Sequence, residues 1–230
     1  MDIDERCAEP GLTITVIVCA FNEALLLPAC LFSLRAQTRP PDQILVINNA
    51  STDETRAAAE AVPGVTVVDE PIKGLVVARE TARRVAHGDI VAYVDALIAV
   101  RRSCGSNASK RGSSASRRPW RSADRISSTT GTGPARMLIR LYDMLVAPPT
   151  HALVHHAVGI GAVLYGGNFA VRRDALAQIG GFDRSVEFHG EDTNLGRRLT
   201  PIGRIELARE CWVWTSARRY RAMGKSAVFG

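Results

Sequence analysis

The sequence predicts an α/β fold, a doubly wound layer with a mostly parallel sheet flanked by helices. Three observations carry that expectation. β-Branched apolar runs recur at Leu12–Ala20, Gln43–Ile47 and Ile90–Val94, as strands buried on both faces require. Helical spacing fills the intervals between them. Amides and acids follow the strand ends, where an open parallel sheet gathers its ligand site.

The elements follow in order. Leu12 to Ala20 is the first strand, ended by the polar Phe21-Asn22-Glu23. Ala24 to Thr38 has helical spacing: Leu27, Leu31 and Leu34 share a face, and Pro28 sits early, where a missing N–H is tolerated. Pro40-Pro41 stops it. Gln43 to Ile47 is a second buried strand, ending in Asn48-Asn49-Ala50-Ser51-Thr52-Asp53. Ser51 or Thr52 is the expected cap of a helix from Asp53 to Ala61, whose early acids suit the helix dipole. Pro63-Gly64 turns the chain into a short strand, Val65 to Val68. A helix from Leu75 to Ala86 is expected to turn Val77, Ala78, Ala82 and Val85 inward. Gly88-Asp89 then opens the strand Ile90 to Leu97, with Asp95 where the strand runs out. That position points a carboxylate toward a site rather than a core.

Residues 98–134 break the pattern. Ser, Arg and Gly dominate and almost nothing fills a core, so a loose or disordered basic loop is expected. Order resumes at Arg136, where Met137, Leu138, Leu141, Leu145 and Val146 make an apolar helical stripe ended by Pro148-Pro149. Ala157 to Leu164 is a loop or short helix. Gly166 to Val171 reads as a strand, and Arg173 to Ile179 as a short helix closed by Gly180-Gly181. Glu191 to Leu199 is a helix, and Arg204 to Leu207 and Val213-Trp214 are strand pieces. The expected organisation is an α/β half at 12–97, the anomalous loop at 98–134, and a second half of the same domain at 136–220.

With 230 residues, 46% hydrophobic and 6% aromatic, the chain can bury a sizeable aliphatic core. No run reaches the roughly 18 apolar residues of a spanning helix, and Met1 to Pro10 is polar and acidic, unlike a signal peptide. The five cysteines lack CxxC spacing, which favours reduced thiols over a disulfide framework or zinc site. A cytoplasmic location is therefore expected. Ser216 to Arg221 leaves open a peripheral contact at the inner face of a membrane, against a plain solvated basic end.

The net charge of +6 is local in origin. Between Ala99 and Pro134, eight lysines and arginines face Asp124 alone, giving this stretch +7 and the remainder −1. A nucleic-acid reading would rest on residues 101–125. Trp120 is the one aromatic residue there, too few for base stacking, so this reading ranks last. His155-His156 are adjacent and point different ways on any regular element, which argues against a metal pair.

Phe21-Asn22-Glu23, Asn48 to Asp53 and Asp95 would converge on one sheet edge. Singly, each is ordinary turn chemistry. As an ordered set, a carboxylate, an amide pair and a second acid suit a base, a ribose and a metal-bound phosphate. Glu191-Asp192 after Gly190 are, taken alone, helix N-terminal acids.

These motifs resemble glycosyltransferase family 2, the inverting enzymes of the GT-A fold. The opening strand with Phe21-Asn22-Glu23 is similar to the family's start, and Asn48-Asn49-Ala50-Ser51-Thr52-Asp53-Glu54-Thr55 to its Asp-Asp/Asn-Gly/Ala-Ser-x-Asp-x-Thr motif. Lys73-Gly74, Ala78-Arg79, Gly88-Asp89 and Val94-Asp95-Ala96 keep its order. Gly167-Asn168-Phe169, Gly180-Gly181-Phe182-Asp183 and Gly190-Glu191-Asp192 match its acceptor-side pattern. The resemblance covers residues 12–97 and about 136–220. It implies a Rossmann-like, mostly parallel sheet with a smaller acceptor-side subregion. It implies a metal-dependent transfer of a sugar from a nucleotide-diphosphate sugar to a hydroxyl acceptor, lipid or polysaccharide, with inversion.

By the same resemblance, Phe21, Glu23, Asn49 and Asp53 line the nucleotide pocket, and Lys73 and Arg79 lie near the nucleotide or its phosphates. Asp95 is the first acid of an Asp-x-Asp motif that holds Mg²⁺ or Mn²⁺ on the diphosphate. Asp192 is the general base, with Glu191 and Trp214 on the acceptor side. Trp212 shares that strand piece. The Gln-x-x-Arg-Trp motif of processive members is absent from the sequence.

The departure falls at position 97, where the second acid is replaced by Leu97. One carboxylate remains where the family has two, which weakens the expected cation site. A shifted reading frame from about Leu97 to Pro134 accounts for the abrupt basic onset and the recovery by Arg136; a genuine basic insertion is the rival. The alternative to an active transferase is a catalytically impaired GT-A-like nucleotide-binding protein.

Overall fold

The computed structural model describes residues 11–96, 99–100, 120–123, 126–128, 137, 141, 145–153, 158, 161, 164, 167–186, 190–203, 205–208 and 213–215. Strands β1 (Ile14–Ala20), β2 (Gln43–Asn49), β3 (Val65–Glu70) and β4 (Ile90–Asp95) are linked by helices α1 (Leu27–Arg35), α2 (Thr55–Glu60) and α3 (Leu75–Val85). Then come β5 (Ala99–Val100), β6 (Trp120–Ala123), β7 (Ile126–Ser128), α4 (Ala147–His151), β8 (Asn168–Arg172), α5 (Arg173–Gln178), α6 (Glu191–Leu199), β9 (Ile205–Ala208) and β10 (Val213–Thr215).

A seven-stranded sheet runs β3-β2-β1-β4-β8-β6-β9. β1 to β4 pair in parallel, β8 runs antiparallel to both β4 and β6, and β9 is parallel to β6. The mostly parallel sheet flanked by helices is thus the one the sequence predicts. A separate three-stranded sheet has the order β5-β10-β7.

Two apolar layers cover the faces of the main sheet. On one, Val16, Val18, Ile44, Val46 and Val94 meet Leu27, Leu31 and Leu34 of α1 and Ala59 of α2. On the other, Ile17, Leu45, Ile47, Val91 and Tyr93 meet Val76, Ala78 and Ala82 of α3 and Leu195 and Leu199 of α6. Full burial of each large aliphatic chain contributes roughly 1.5–3 kcal/mol. Side chains alternate along a strand, so Cys19, Asn49 and Asp95 continue the α3 and α6 face beyond the apolar layer.

Several local expectations are corrected. In α3, Val76 is buried while Val77 is half-exposed, and the charged Arg79 and Glu80 are buried with it. The α2 cap is neither Ser51 nor Thr52: the Thr55 N–H donates to Asp53 Oδ1 at 3.0 Å, while Ser51 and Thr52 turn to Asn22. Met137, Leu141 and Leu145 are exposed, so the apolar stripe is not a core face. Pro148-Pro149 opens α4, because proline in a first helical turn forfeits no intrahelical bond. The basic segment expected as a loop supplies β6, which joins the sheet, and β7; backbone pairing needs no apolar side chain. His155-His156, Trp212, Leu97 and Ser216–Arg221 lie outside the described residues. Among the described residues, no helix is long and apolar enough to cross a membrane.

Candidate active site

The first part of the site is built at the carboxyl ends of β1 and β2. Asn22, at a positive φ of 53°, turns the chain after β1. Its backbone N–H donates to Ser51 Oγ at 3.1 Å, and its side-chain Oδ1 accepts from the Thr52 N–H at 2.8 Å. The Glu23 N–H donates to Thr55 Oγ1 at 2.8 Å. Asp53 accepts from the Thr55 N–H, the Thr55 hydroxyl and the Ala24 N–H. The Thr55 hydroxyl bond is the largest cause holding the Asp53 carboxyl below its ordinary range. Asn22 was not among the expected site residues, although it stands between two that were.

Asn49 does the same for the next loop. Its Nδ2 donates to the Ile72 carbonyl at 2.7 Å, and its Oδ1 accepts from the Gly74 N–H at 2.9 Å. Gly74, at a φ of 156°, precedes the first residue of α3. Asn49, which is buried, and Asp53, which stays exposed, therefore both spend hydrogen bonds on shaping the loops after β2. Lys73 stands at the opening, exposed, its Nζ 4.0 Å from the Phe21 ring centroid. Among the described residues it forms no ion pair.

Asp95 follows the last apolar residues of β4. Its backbone N–H donates to the Gly167 carbonyl at 3.1 Å, while its carboxylate accepts no hydrogen bond among the described residues. A Cβ on Gly167 would lie 2.7 Å from Asp95 Oδ2, so a larger residue there has to displace that carboxylate. A carboxylate left open over a cradle that a methyl group would fill suits one protein ligand to a hard cation. Mg²⁺ and Mn²⁺ are commonly held by one or two carboxylates together with substrate phosphates. Among the described residues, no group of three or more His, Cys, Asp or Glu forms an all-protein metal site.

The other side of the site is α6. Gly190, left-handed at a φ of 87°, ends the preceding turn, and Glu191 and Asp192 open the helix. Asp192 Oδ1 accepts from the Thr193 N–H at 2.7 Å, and its second oxygen has no hydrogen-bond partner among the described residues. Asp183 accepts from Ser185, whose hydroxyl bond is the main cause of a lowered Asp183 pKa. A shallow cleft here is lined by Val76, Phe182, Asp183, Glu191, Asn194 and Leu195. Trp214 belongs to β10, in the three-stranded sheet.

A short relay of contacts brings the two sides together. Asp95 is the register partner of Cys19. Burial pushes the Cys19 thiol up to about 12; the Arg79 charge pulls it down and the Asp95 charge raises it further. Both charges therefore act on one thiol. Arg79 Nη1 is in turn 3.4 Å from Glu191 Oε1, one residue before Asp192. Arg79, expected near the nucleotide or its phosphates, is buried, with its guanidinium 5.3 Å from the Phe169 ring centroid. Glu80, Gly167 and Phe169 complete the arrangement. Gly167 stands in the Gly167-Asn168-Phe169 motif, whereas no local pattern marks Glu80 as buried.

The mostly parallel sheet flanked by helices is the fold of GT-A glycosyltransferases. Residues 15–96 match the model described as Glycosyl transferase family 2. No curated protein sequence matches the chain. Among solved structures, the fold is similar to the mannosyltransferase PcManGT from Pyrobaculum calidifontis in complex with GDP-Man and Mn²⁺. That match has a TM-score of 0.64 and 24% identity over 92% of this chain and 59% of the other. S. aureus TarS 1-349 gives a TM-score of 0.67 and 16% identity over 92% and 63%. Glucosyl-3-phosphoglycerate synthase from Mycobacterium tuberculosis, in complex with Mn²⁺, UDP and phosphoglyceric acid, gives 0.60 and 19% over 93% and 74%. The chain spans about three-fifths of the first two.

Proposed function

We propose that this chain transfers a sugar from a nucleotide-diphosphate sugar to a hydroxyl acceptor, with inversion at the anomeric carbon. The observation that carries the reading is the open Asp95 carboxylate over Gly167, joined through Cys19, Arg79 and Glu191 to the helix start that bears Asp192. The family match over 15–96 and the nucleotide-sugar complexes of similar folds support it.

Lys73 offers a cation at the pocket mouth for the diphosphate, and Phe21 offers an apolar face beside it. Asp95 would hold a divalent cation, which supplies charge neutralisation for the departing diphosphate. Asp192 takes the proton of the acceptor hydroxyl as that oxygen bonds to the anomeric carbon. The bond from that carbon to the diphosphate oxygen breaks, and the nucleoside diphosphate leaves with its electron pair. Attack opposite the leaving group inverts the centre.

The test is donor consumption and transfer with Mn²⁺ or Mg²⁺, in wild type and in Asp192→Asn. A fall of about 10³-fold in turnover with nucleotide affinity retained is expected; an Asp192→Asn variant as active as wild type would end the assignment. A second reading, nucleotide binding with impaired turnover, is favoured by Leu97 in place of the second acid. Leu97→Asp distinguishes the two readings. If the lost ligand limits the protein, metal affinity should rise about tenfold or more, and turnover with it. If metal affinity rises and turnover stays flat, impairment does not stem from position 97.

A further inference from the structure

Helix α3 begins at the donor loop, yet two of its charged residues are spent on the other half of the molecule. Glu80 accepts from the Phe182 N–H at 3.3 Å. Arg79 forms its 3.4 Å ion pair with Glu191, with the side chains only 3% and 12% exposed. The flat guanidinium also lies 5.3 Å from the Phe169 ring centroid and 6.0 Å from that of Tyr93. Tyr93 and Phe169 stack on each other at 4.9 Å, and Tyr93 precedes Asp95 by two residues on the same face of β4. Arg79 is thus fixed against the strand that carries one candidate site acid and paired with the residue adjoining the other.

We propose that Arg79 is a positioning residue: by holding Glu191, it sets where the start of α6 presents Asp192, and it does not bind the donor's phosphates. This rests on Asp192 being the base. The Arg79 side chain is only 3% exposed and already paired with a carboxylate, whereas Lys73 is exposed. Lysine is a poor substitute, because its point charge lacks the planar fork and the ring stacking. Catalytic geometry is sensitive to this kind of support: a shift of about 1 Å can cost on the order of 10²-fold in rate.

The experiment compares wild type, Arg79→Met, Arg79→Lys, Glu191→Gln and the Arg79→Met/Glu191→Gln double variant. Binding of UDP and of GDP with Mn²⁺ is measured by calorimetry, and kcat and donor KM are measured with the donor that wild type uses. Arg79→Met and Glu191→Gln should each lower kcat about 10²-fold, with nucleotide affinity and donor KM within about threefold of wild type. The double variant should be no worse than either single one, since both disrupt the same support. If Arg79→Met does not fold, Glu191→Gln carries the same requirement. A tenfold or greater loss of nucleotide affinity in Arg79→Lys or Arg79→Met, with Glu191→Gln unaffected, makes Arg79 a donor ligand and overturns the proposal. An unchanged kcat in Glu191→Gln overturns it too. Failure of the underlying reading has a separate signature: wild type transfers no sugar, or Asp192→Asn matches wild type, whatever Arg79 does.

Discussion

The two halves of the site are held in different ways. At the donor side, neighbouring loops tie to one another: Asn22 to Ser51 and Thr52, Asp53 to Thr55 and Ala24, Asn49 to Ile72 and Gly74. Among the described residues, the Lys73 ammonium there forms no ion pair and the Asp95 carboxylate accepts no hydrogen bond. The acceptor side also leans on α3. Glu191 and the Phe182 N–H are held by Arg79 and Glu80, each more than a hundred residues away in sequence. Polar side chains at a strand edge therefore do two jobs, and a motif does not say which. The second half has ties of its own, such as Arg198 to the Gly181 carbonyl at 2.8 Å, and adds to them the two contacts from α3.

The sharpest way to break that contrast is at the seam. Gly167→Ala would put a Cβ 2.7 Å from Asp95 Oδ2 and displace the open carboxylate. Cation-dependent turnover should fall about 10–100-fold, and metal titration of the variant checks it. An unaltered metal affinity would mean that the cradle is not a cation site.

Next in size is Glu80→Gln. Burial pushes the Glu80 carboxyl up, but the Arg83 bond and the Phe182 N–H outweigh burial and leave it below its ordinary value. A carboxyl depressed in the folded state stabilises above its unfolded pKa, and that stabilisation is lost as pH falls through the folded value. Wild type should exceed the variant by about 2 kcal/mol near neutrality. The gap should close on acidification below the usual glutamate range, as followed by urea unfolding against pH. If the acceptor half leans on α3, amide exchange should quicken first around Gly180–Leu199. Uniform quickening would remove the distinction between the halves.

The smallest effect belongs to the donor wall. Ala50 holds a positive φ of 55° with its N–H donating to the Glu70 carbonyl at 2.9 Å. Ala50→Gly relieves that strain but loosens the unfolded chain, for a net gain of about 0.5–1 kcal/mol. Thermal unfolding should register it, with exchange at Gly180–Leu199 unchanged if the donor loops are self-contained.

The sequence by itself determined the parallel strand-helix alternation, because buried strands and amphipathic helices write their periods directly into hydrophobicity. It determined α6 at Glu191–Leu199 and the Gly180-Gly181 turn for the same local reasons: acids suit a helix start, and φ values of 76° and 81° suit glycine. Only the tertiary structure decided that Arg79 and Glu80 lie inside. A charged helical residue looks solvated until a distant partner is folded against it, and no local pattern records where that partner stands. It likewise decided that Asn49 and Asp53 hydrogen-bond the neighbouring loops while the Asp95 carboxylate accepts no hydrogen bond among the described residues. An amide or carboxylate has the same chemistry in either role, and the neighbouring loops choose which donors reach it.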